Sequence, residues 1–186
     1  MPGNSGVAAI EFAIVFPILL MLLFGIINVV QDLAMSRRIT AAAELVADLV
    51  TRRDTTIQVA TIKDYFTAAE LAIRPVDAKT VHIDLYNFYK DGSTVGTRWK
   101  RSSPNGTACT VPAPRLADPN DAIGSLLNDP TVVSDVVVAV ICMPYVPPVA
   151  NFPGIQNIFK NRTIQKTIAL RPRQSTILLC DPASCI

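Results

Sequence analysis

The chain has 186 residues, of which 50% are hydrophobic and 17% are charged, and its formal net charge is +2. Nucleic-acid binding is not expected, because the basic residues are scattered along the chain and aromatic residues make up only 6% of it. The length allows one globular core in addition to a membrane segment.

The first element is an apolar segment from Val7 to Val30, and its only formally charged residue is Glu11. As a helix, about 24 residues extend about 36 Å, which exceeds a hydrocarbon core of about 30 Å. The segment is too long for the apolar part of a secretory signal peptide, and no Lys or Arg precedes it. We therefore expect a retained membrane anchor. A carboxylate in such a segment costs on the order of 3 kcal/mol near the helix centre, so Glu11 is a candidate functional residue.

Gly6, the small residue just before this segment, indicates a role for Glu11. Cleavage between Gly6 and Val7 would place Glu11 fifth in the new chain. The new α-amine of Val7 and the Glu11 carboxylate of a neighbouring subunit would attract each other by about 4 kcal/mol at about 4 Å and an effective dielectric near 20. Desolvation offsets part of this attraction. The alternative is an uncleaved anchor, in which Glu11 reaches towards lipid headgroups or accepts a hydrogen bond.

The helical pattern continues beyond the anchor. The stretch from Gln31 to Asp54 lacks Gly and Pro, and its apolar residues recur at spacings of three and four. We predict one long helix from about Val7 to Thr51, with its first half in the membrane and its second half packed on a domain. Pro17 either kinks this helix or is tolerated, as proline often is in membrane helices.

The rest of the chain predicts an α+β domain with a small antiparallel sheet. The pattern indicates a second helix, a strand followed by a returning strand, a short helix, a strand dense in β-branched residues and a final strand. The second helix falls at Thr55–Arg74. The first strand begins at Val81, and the returning strand passes through Trp99. The short helix falls at Asp121–Leu127, and the last two strands fall at 131–145 and Arg162–Arg171. The expected architecture is a long N-terminal helix packed on the sheet.

Four cysteines, Cys109, Cys142, Cys180 and Cys185, all follow the anchor. The even count favours an oxidising compartment and two disulfides, and three pairings are possible. We favour Cys109–Cys142 and Cys180–Cys185. Zinc is disfavoured because no close cysteine pair is accompanied by histidines.

No catalytic residue, metal site or cofactor is expected. His82 is the single histidine, and we interpret it as structural because it lies between Val81 and Ile83 on a predicted strand. It is also the only imidazole that could activate a serine. The glycines are spaced through turns and do not form a phosphate-binding loop. An enzyme is therefore not expected.

The run from Gly6 to Ile27 resembles the N-terminus of TadE-like proteins of the tight-adherence (Flp) pilus system. That family has a glycine before a stretch containing Glu-Phe-Ala, then a proline and an aliphatic run with a late glycine. The matching residues here are Gly6, Glu11, Phe12, Pro17 and Gly25. The C-terminal portion is compatible, with a strand that leads to Tyr145, Pro147 and Pro148 and a later Arg171-Pro172-Arg173.

The resemblance implies a minor pseudopilin that initiates, primes or caps an adhesive pilus. Residues 1–6 would be the leader, 7–54 the long helix with its membrane part at 7–30, and 55–186 a periplasmic α+β domain. Gly6 and Val7 would form the processing site, while Glu11, Phe12 and Pro17 would serve subunit assembly. The expected partners are other pseudopilins, the major pilin, the inner-membrane assembly platform and the prepilin peptidase.

Two observations bear on orientation. Arg37 and Arg38 follow the anchor, and a positive-inside count would place the C-terminal domain in the cytoplasm. The four cysteines favour the periplasm, and a long domain can be translocated regardless of flanking charge. We expect a single-pass inner-membrane protein with a cytoplasmic N-terminus. The second hypothesis is an uncleaved envelope protein whose periplasmic domain binds a ligand or partner.

Overall fold

The computed structural model describes residues 5–53, 56–118, 120–129, 135–147, 162–173 and 179–180. Contacts divide the chain into two units, residues 1–35 with 146–162 and residues 36–145 with 163–186. The helices in the described ranges are α1 (Ser5–Thr51), α2 (Val59–Ala72) and α3 (Ala122–Leu127). The strands are β1 (Thr56–Ile57), β2 (His82–Asp91), β3 (Thr94–Ser102), β4 (Asp135–Tyr145), β5 (Arg162–Leu170) and β6 (Leu179–Cys180).

Four strands form one antiparallel sheet in the order β3-β2-β4-β5. The inner strand β2 pairs with β3 on one side and with β4 on the other. Strand β4 is buried from Asp135 to Met143, so both of its faces are covered. This explains why its sequence reads as a continuous apolar run rather than an alternation. The predicted α+β class, with a long N-terminal helix and a small antiparallel sheet, is confirmed.

One buried cluster covers the sheet face that carries Tyr86 and Phe88 of β2. Alternate residues of a strand share a face, and the pairing of β2 with β4 places Val138 opposite Tyr86 and Val136 opposite Phe88. Helix α3 contributes apolar residues to the same cluster, and a cysteine of the preceding loop completes it. These contributors are Ile123, Leu127 and Cys109.

The second half of α1 supplies another set of buried apolar side chains. These residues recur at helical spacing and have no exposed surface: Ile39, Ala42, Ala43, Val46, Ala47 and Val50. Helix α2 lies beside this part of α1, since Arg38 donates to the carbonyl of Arg74, which follows α2, at 3.4 Å. At the other end, Arg53 donates to the hydroxyl of Tyr65 at 2.8 Å. The predicted amphipathic stripe is therefore confirmed.

The start of α2 differs from the prediction, whereas the predicted end of α1 is observed. Helix α2 begins at Val59 rather than Thr55, because Thr56 and Ile57 pair in parallel with Leu179 and Cys180. This pairing joins segments distant in sequence, so local propensity did not reveal it. Helix α1 ends at Thr51, followed by a turn at Arg52. The predicted strand at 131–145 is observed from Asp135, and its first four residues lie outside the described ranges.

A β-bulge in β3 places a cation against a buried carboxylate. The register runs from Asn87 opposite Trp99 to Phe88 opposite Thr97, so Arg98 is the extra residue. The Nε and Nη2 atoms of Arg98 lie 2.8 and 3.0 Å from the two carboxylate oxygens of Asp135, whose side chain is 3% exposed. Asn87 donates to the same carboxylate at 3.0 Å. Since a buried charge requires such compensation, the bulge secures the start of β4.

The N-terminus of α3 is capped by Asp121. Its Oδ1 accepts from the backbone N–H groups of Ile123 at 2.9 Å and Gly124 at 3.3 Å, while Oδ2 accepts from that of Arg115 at 2.5 Å. A Cβ on Gly124 would lie 2.1 Å from the Arg115 carbonyl oxygen, so only glycine fits. Burial alone would raise the pKa of Asp121, but these three backbone hydrogen bonds lower it below its ordinary value.

We expect Asp121→Ala to lower the free energy of unfolding by about 1 kcal/mol at neutral pH, and Asp121→Asn to lower it far less. Because the folded-state pKa of Asp121 is below the unfolded value, its ionic contribution is present above the unfolded pKa and is lost as pH falls through the folded pKa. The advantage of the wild type over Asp121→Asn should therefore begin to decline below about pH 4 and disappear once pH has fallen below the folded-state pKa. Denaturant unfolding of the detergent-solubilised chain, followed by fluorescence of buried Trp99, measures both effects. Parallel pH profiles of the two proteins would contradict this account.

Candidate functional site: the exposed half of helix α1

The first half of α1 presents large apolar side chains outwards. Ile10, Phe12 and Ile14 are 62–65% exposed, and most apolar residues as far as Leu33 are also exposed. This stretch contrasts with the second half, where the apolar stripe is fully buried. Within the described residues, α1 is long and apolar enough to cross a membrane. An apolar surface of this extent requires lipid or another apolar surface against it.

Glu11 lies on this apolar surface with its side chain exposed. No ion pair to Glu11 forms within the described ranges. The first basic residue along the chain is Arg37, which is about 39 Å further along the helix at about 1.5 Å per residue. The helix that carries this carboxylate therefore supplies no cation near it.

Phe12 and Pro17 follow Glu11 on the same exposed part of α1. The rings of Phe12 and Phe16, one helical turn apart, have centroids 5.2 Å apart and planes tilted by 31°. Helix α1 continues through Pro17 without a break. Because proline has no N–H, the carbonyl of Ala13 lacks its usual intrahelical donor there. The structure thus places both predicted assembly residues on the exposed part of the helix, together with Glu11.

Gly6 has no structural reason to be glycine. It is exposed and helical, and a Cβ on it would meet no heavy atom within 4 Å. Its backbone does not need a positive φ, which among the described glycines occurs at Gly92 and Gly106. Alanine would favour a helix by roughly 1 kcal/mol over glycine in a helix interior. The requirement for glycine, if there is one, therefore arises outside the fold of the subunit.

The Cys109–Cys142 disulfide joins the loop before α3 to β4. Its Cα atoms are 5.6 Å apart and its cysteines are 33 residues apart in sequence. The same loop is tied to β5 by Gln165, whose side-chain amide exchanges two hydrogen bonds of 3.0 Å with the backbone of Thr110. The Cys109–Cys142 disulfide is the longer of the two disulfides that we expected. The expected Cys180–Cys185 pairing lies outside the described side chains.

A polar cluster that the sequence analysis missed lies on β2 and β3. Asp84 is 1% exposed, accepts a hydrogen bond from Ser102, and lies 3.4 Å from His82 Nε2 and 3.9 Å from Lys100 Nζ. Alternation places His82 and Asp84 on one face, but the register that adds Ser102 and Lys100 is a long-range property.

These contacts all reach the Oδ1 atom of Asp84 and compensate that side of a buried carboxylate. In a serine nucleophile the imidazole lies between hydroxyl and carboxylate, whereas here the Ser102 hydroxyl donates directly to Asp84. His82 Nδ1 lies 2.5 Å from the carbonyl oxygen of Asn105. Burial also raises the pKa of the neighbouring Tyr86. The described geometry gives this cluster a structural role.

Comparison with known proteins connects the exposed helix to a family. Residues 6–48 match the family model described as TadE-like protein. The matched segment contains Gly6, Glu11, Phe12, Pro17 and Gly25, so the resemblance seen in the sequence is confirmed over α1. No curated protein and no solved structure gives a significant match to the chain.

The match covers residues 6–48, so the similarity to TadE-like proteins concerns α1 alone. Among the described residues, α1 is the helix that fits a single-pass membrane anchor, by its length and composition. The matched segment ends at Asp48, so the antiparallel sheet and the disulfide lie outside it.

Removing the described disulfide should destabilise the domain. For a loop closed by residues 33 apart, the chain-entropy model gives about 3–4 kcal/mol. We expect Cys109→Ser/Cys142→Ser to lose this amount under non-reducing conditions, measured by denaturant unfolding with Trp99 fluorescence. Reductant should bring the wild type close to the variant. Free thiols on Cys109 and Cys142 in non-reducing peptide mass mapping would contradict the pairing.

Proposed function

We propose that the chain is a minor pseudopilin, a structural subunit that initiates, primes or caps a tight-adherence pilus after cleavage between Gly6 and Val7. The observation that carries the proposal is Glu11, a carboxylate exposed on an apolar helix whose own first cation is Arg37. The match of residues 6–48 to TadE-like proteins supports the same assignment.

Cleavage supplies the cation that Glu11 lacks. The new ammonium of Val7 would lie at the membrane edge, where pairing with the Glu11 carboxylate of a neighbouring subunit neutralises both groups. At about 4 Å and an effective dielectric near 20 the attraction is about 4 kcal/mol, before the cost of desolvation. Each subunit gives a carboxylate to one neighbour and an amine to another, so the pairing fixes an axial stagger between helices.

The two halves of α1 have different roles in this proposal. The exposed half holds the subunit in the inner membrane and then packs among other helices in the assembly. The buried half belongs to the unit that contains the sheet, and this outer domain provides partner specificity. The Cys109–Cys142 disulfide favours a periplasmic location of that domain, with a cytoplasmic N-terminus.

The partners follow from this placement. They are other pseudopilins, the major pilin, the assembly platform of the inner membrane and, during maturation, the prepilin peptidase. The role is structural and non-catalytic, and the Asp84 cluster fits this role because its hydroxyl, imidazole and ammonium groups are used to compensate one carboxylate.

Cleavage is tested by the intact mass of the protein extracted from membranes that contain the peptidase. We expect a product that begins at Val7. Gly6→Ala should slow the cut severalfold, because a peptidase pocket shaped for hydrogen accepts a methyl group poorly. Gly25→Ala is the matched control, since Gly25 is also helical and open around its Cβ position, and it should be cut normally. A product that begins at Met1 together with normal pilus assembly would favour the uncleaved envelope protein.

The pairing role of Glu11 is tested separately from the cut. Glu11→Gln should be processed normally but should reduce pilus assembly about tenfold or more, because a neutral amide loses at least about 1.4 kcal/mol of attraction to the ammonium. Glu44→Gln is the control, since Glu44 is an exposed glutamate of the same helix outside the apolar segment. Quantified surface pili and the mass of the processed subunit are the two readouts. Wild-type piliation by Glu11→Gln would refute the pairing.

A further inference from the structure

The C-terminal end of α2 lies beside the part of α1 that follows the membrane segment. Arg38 of α1 donates to the carbonyl oxygen of Arg74 at 3.4 Å. Further along α1, Arg53 donates at 2.8 Å to the hydroxyl of Tyr65, which precedes Arg74 in the chain. Helix α2 therefore runs antiparallel to the second half of α1 and returns the chain towards the bilayer. Its last turn belongs to the membrane-proximal end of the unit that contains residues 36–145.

Three exposed arginines lie at this end, Arg37 and Arg38 on α1 and Arg74 just after α2. No ion pair among the residues that the structure describes neutralises any of the three. Asp32, the acid between the apolar segment and Arg37, is paired with Arg162. The charge of these arginines is therefore available to a partner outside the chain.

Leu71 and Arg74 border a cleft of about 540 Å³ at the same end of α2. Leu71 is 53% exposed although it is apolar. Two acids, Glu70 and Asp77, also line the cleft, but each has a partner at 3.0 Å. Glu70 accepts from the side-chain amide of Asn105, and Asp77 accepts from a backbone N–H group. Because three arginines face two partnered acids, this end keeps an excess of positive charge.

The arginines are within reach of lipid headgroups. The apolar segment ends at Val30, and Arg37 lies about 10 Å further along the helix at about 1.5 Å per residue. The headgroup layer extends roughly 5–8 Å beyond each side of the hydrocarbon core. A long arginine side chain can cover the remaining distance, as such side chains do at membrane interfaces.

We infer that Arg37, Arg38 and Arg74, together with the exposed Leu71, form a contact surface for anionic phospholipid headgroups in the leaflet from which α1 emerges. The argument is charge complementarity combined with continuity with the membrane anchor, because α1 holds these cations at the level where lipid phosphates are concentrated. A guanidinium group can bind a phosphate through two parallel hydrogen bonds. Leu71 can enter the apolar edge of the headgroup layer, whereas a soluble acidic partner would leave this side chain unexplained.

Such a contact adds a second attachment to the membrane beside the anchor. It restricts rotation of the unit about the axis of α1, so the unit presents one side to partners that diffuse in the same bilayer. The inference does not depend on cleavage between Gly6 and Val7.

The test is photocrosslinking of the full-length protein reconstituted in vesicles, with a photoreactive residue at Leu71. One set of vesicles contains phosphatidylcholine alone, and the other also contains about 30% phosphatidylglycerol, an anionic lipid. A photoreactive residue at Ala60 is the positional control, since Ala60 is exposed about three turns earlier on the same side of α2. Lipid adducts are identified by the mass of the protein.

The charge variant is Arg37→Gln/Arg74→Gln, which retains Arg38 and its hydrogen bond to the backbone of residue 74. Arg52→Gln/Lys63→Gln is the matched control, because it removes the same charge from exposed positions further from the anchor on the same two helices.

We expect the probe at Leu71 to form at least about threefold more lipid adduct in the anionic vesicles, and the probe at Ala60 to form little in either. Arg37→Gln/Arg74→Gln should reduce the adduct in anionic vesicles at least about threefold, whereas Arg52→Gln/Lys63→Gln should leave it unchanged. Salt at about 0.5 M should also weaken it, because exposed charges are screened.

Equal adduct yields in the two kinds of vesicle, or a yield that does not respond to Arg37→Gln/Arg74→Gln, would overturn the inference. Capture of protein alone by the probe at Leu71 would overturn it as well. These outcomes leave the proposed function intact, and an uncleaved product that begins at Met1 would count against the proposed function without affecting the lipid contact.

Discussion

A carboxylate in hydrocarbon must be paired with a cation, protonated or hydrated, and this constraint acts on Glu11. Along its own helix, Glu11 is followed by apolar residues and by the polar pair Gln31 and Asp32, while the first basic residue is Arg37. Helix α1 therefore brings no basic side chain close to this carboxylate. In the proposed assembly, the cleaved N-terminus of another subunit supplies the cation, and because every processed copy would carry one such group, the contact would repeat.

Helix α1 combines two surfaces that follow from different residue types. In the second half, alanines at positions 42, 43 and 47 bring the helix backbone close to its neighbours and are fully buried. In the first half, most bulky aliphatic and aromatic residues remain exposed, and Gly6 and Gly25 are two glycines of this stretch. Neither glycine is needed for packing within the subunit. In the proposed function, Gly6 is recognised during processing.

The unit that contains residues 36–145 is held together by several interactions among its own residues. A buried ion pair between Arg98 and Asp135, the Asp121 cap and the Cys109–Cys142 bond each fix a separate part of the second unit. In the proposed function, these interactions stabilise the unit that recognises partners.

Much of this architecture was accessible from the sequence. The extent of α1 followed from a long stretch without helix-breaking residues other than Pro17, and the strength of β4 followed from its β-branched run. The pairing of β1 with β6, the bulge at Arg98 and the compensation of Asp84 were not predictable, because each depends on the register between segments far apart in the chain. For the candidate site, sequence identified Glu11 and Gly6 by charge and size. The surface formed by Arg37, Arg38 and Arg74 was not predictable, because it depends on the antiparallel packing of α2 beside α1.

The central claim is an intermolecular contact between the Val7 ammonium and the Glu11 carboxylate, and solid-state NMR of the assembled protein tests it most directly. One population of subunits carries ¹⁵N at the α-amine of Val7, and a second population carries ¹³C at the side-chain carboxyl of Glu11. Because the two labels are on different molecules, any ¹⁵N–¹³C dipolar contact must cross a subunit boundary. The account predicts a separation of about 4 Å in the mixed assembly. The absence of that contact in a fully cleaved and assembled sample would contradict it.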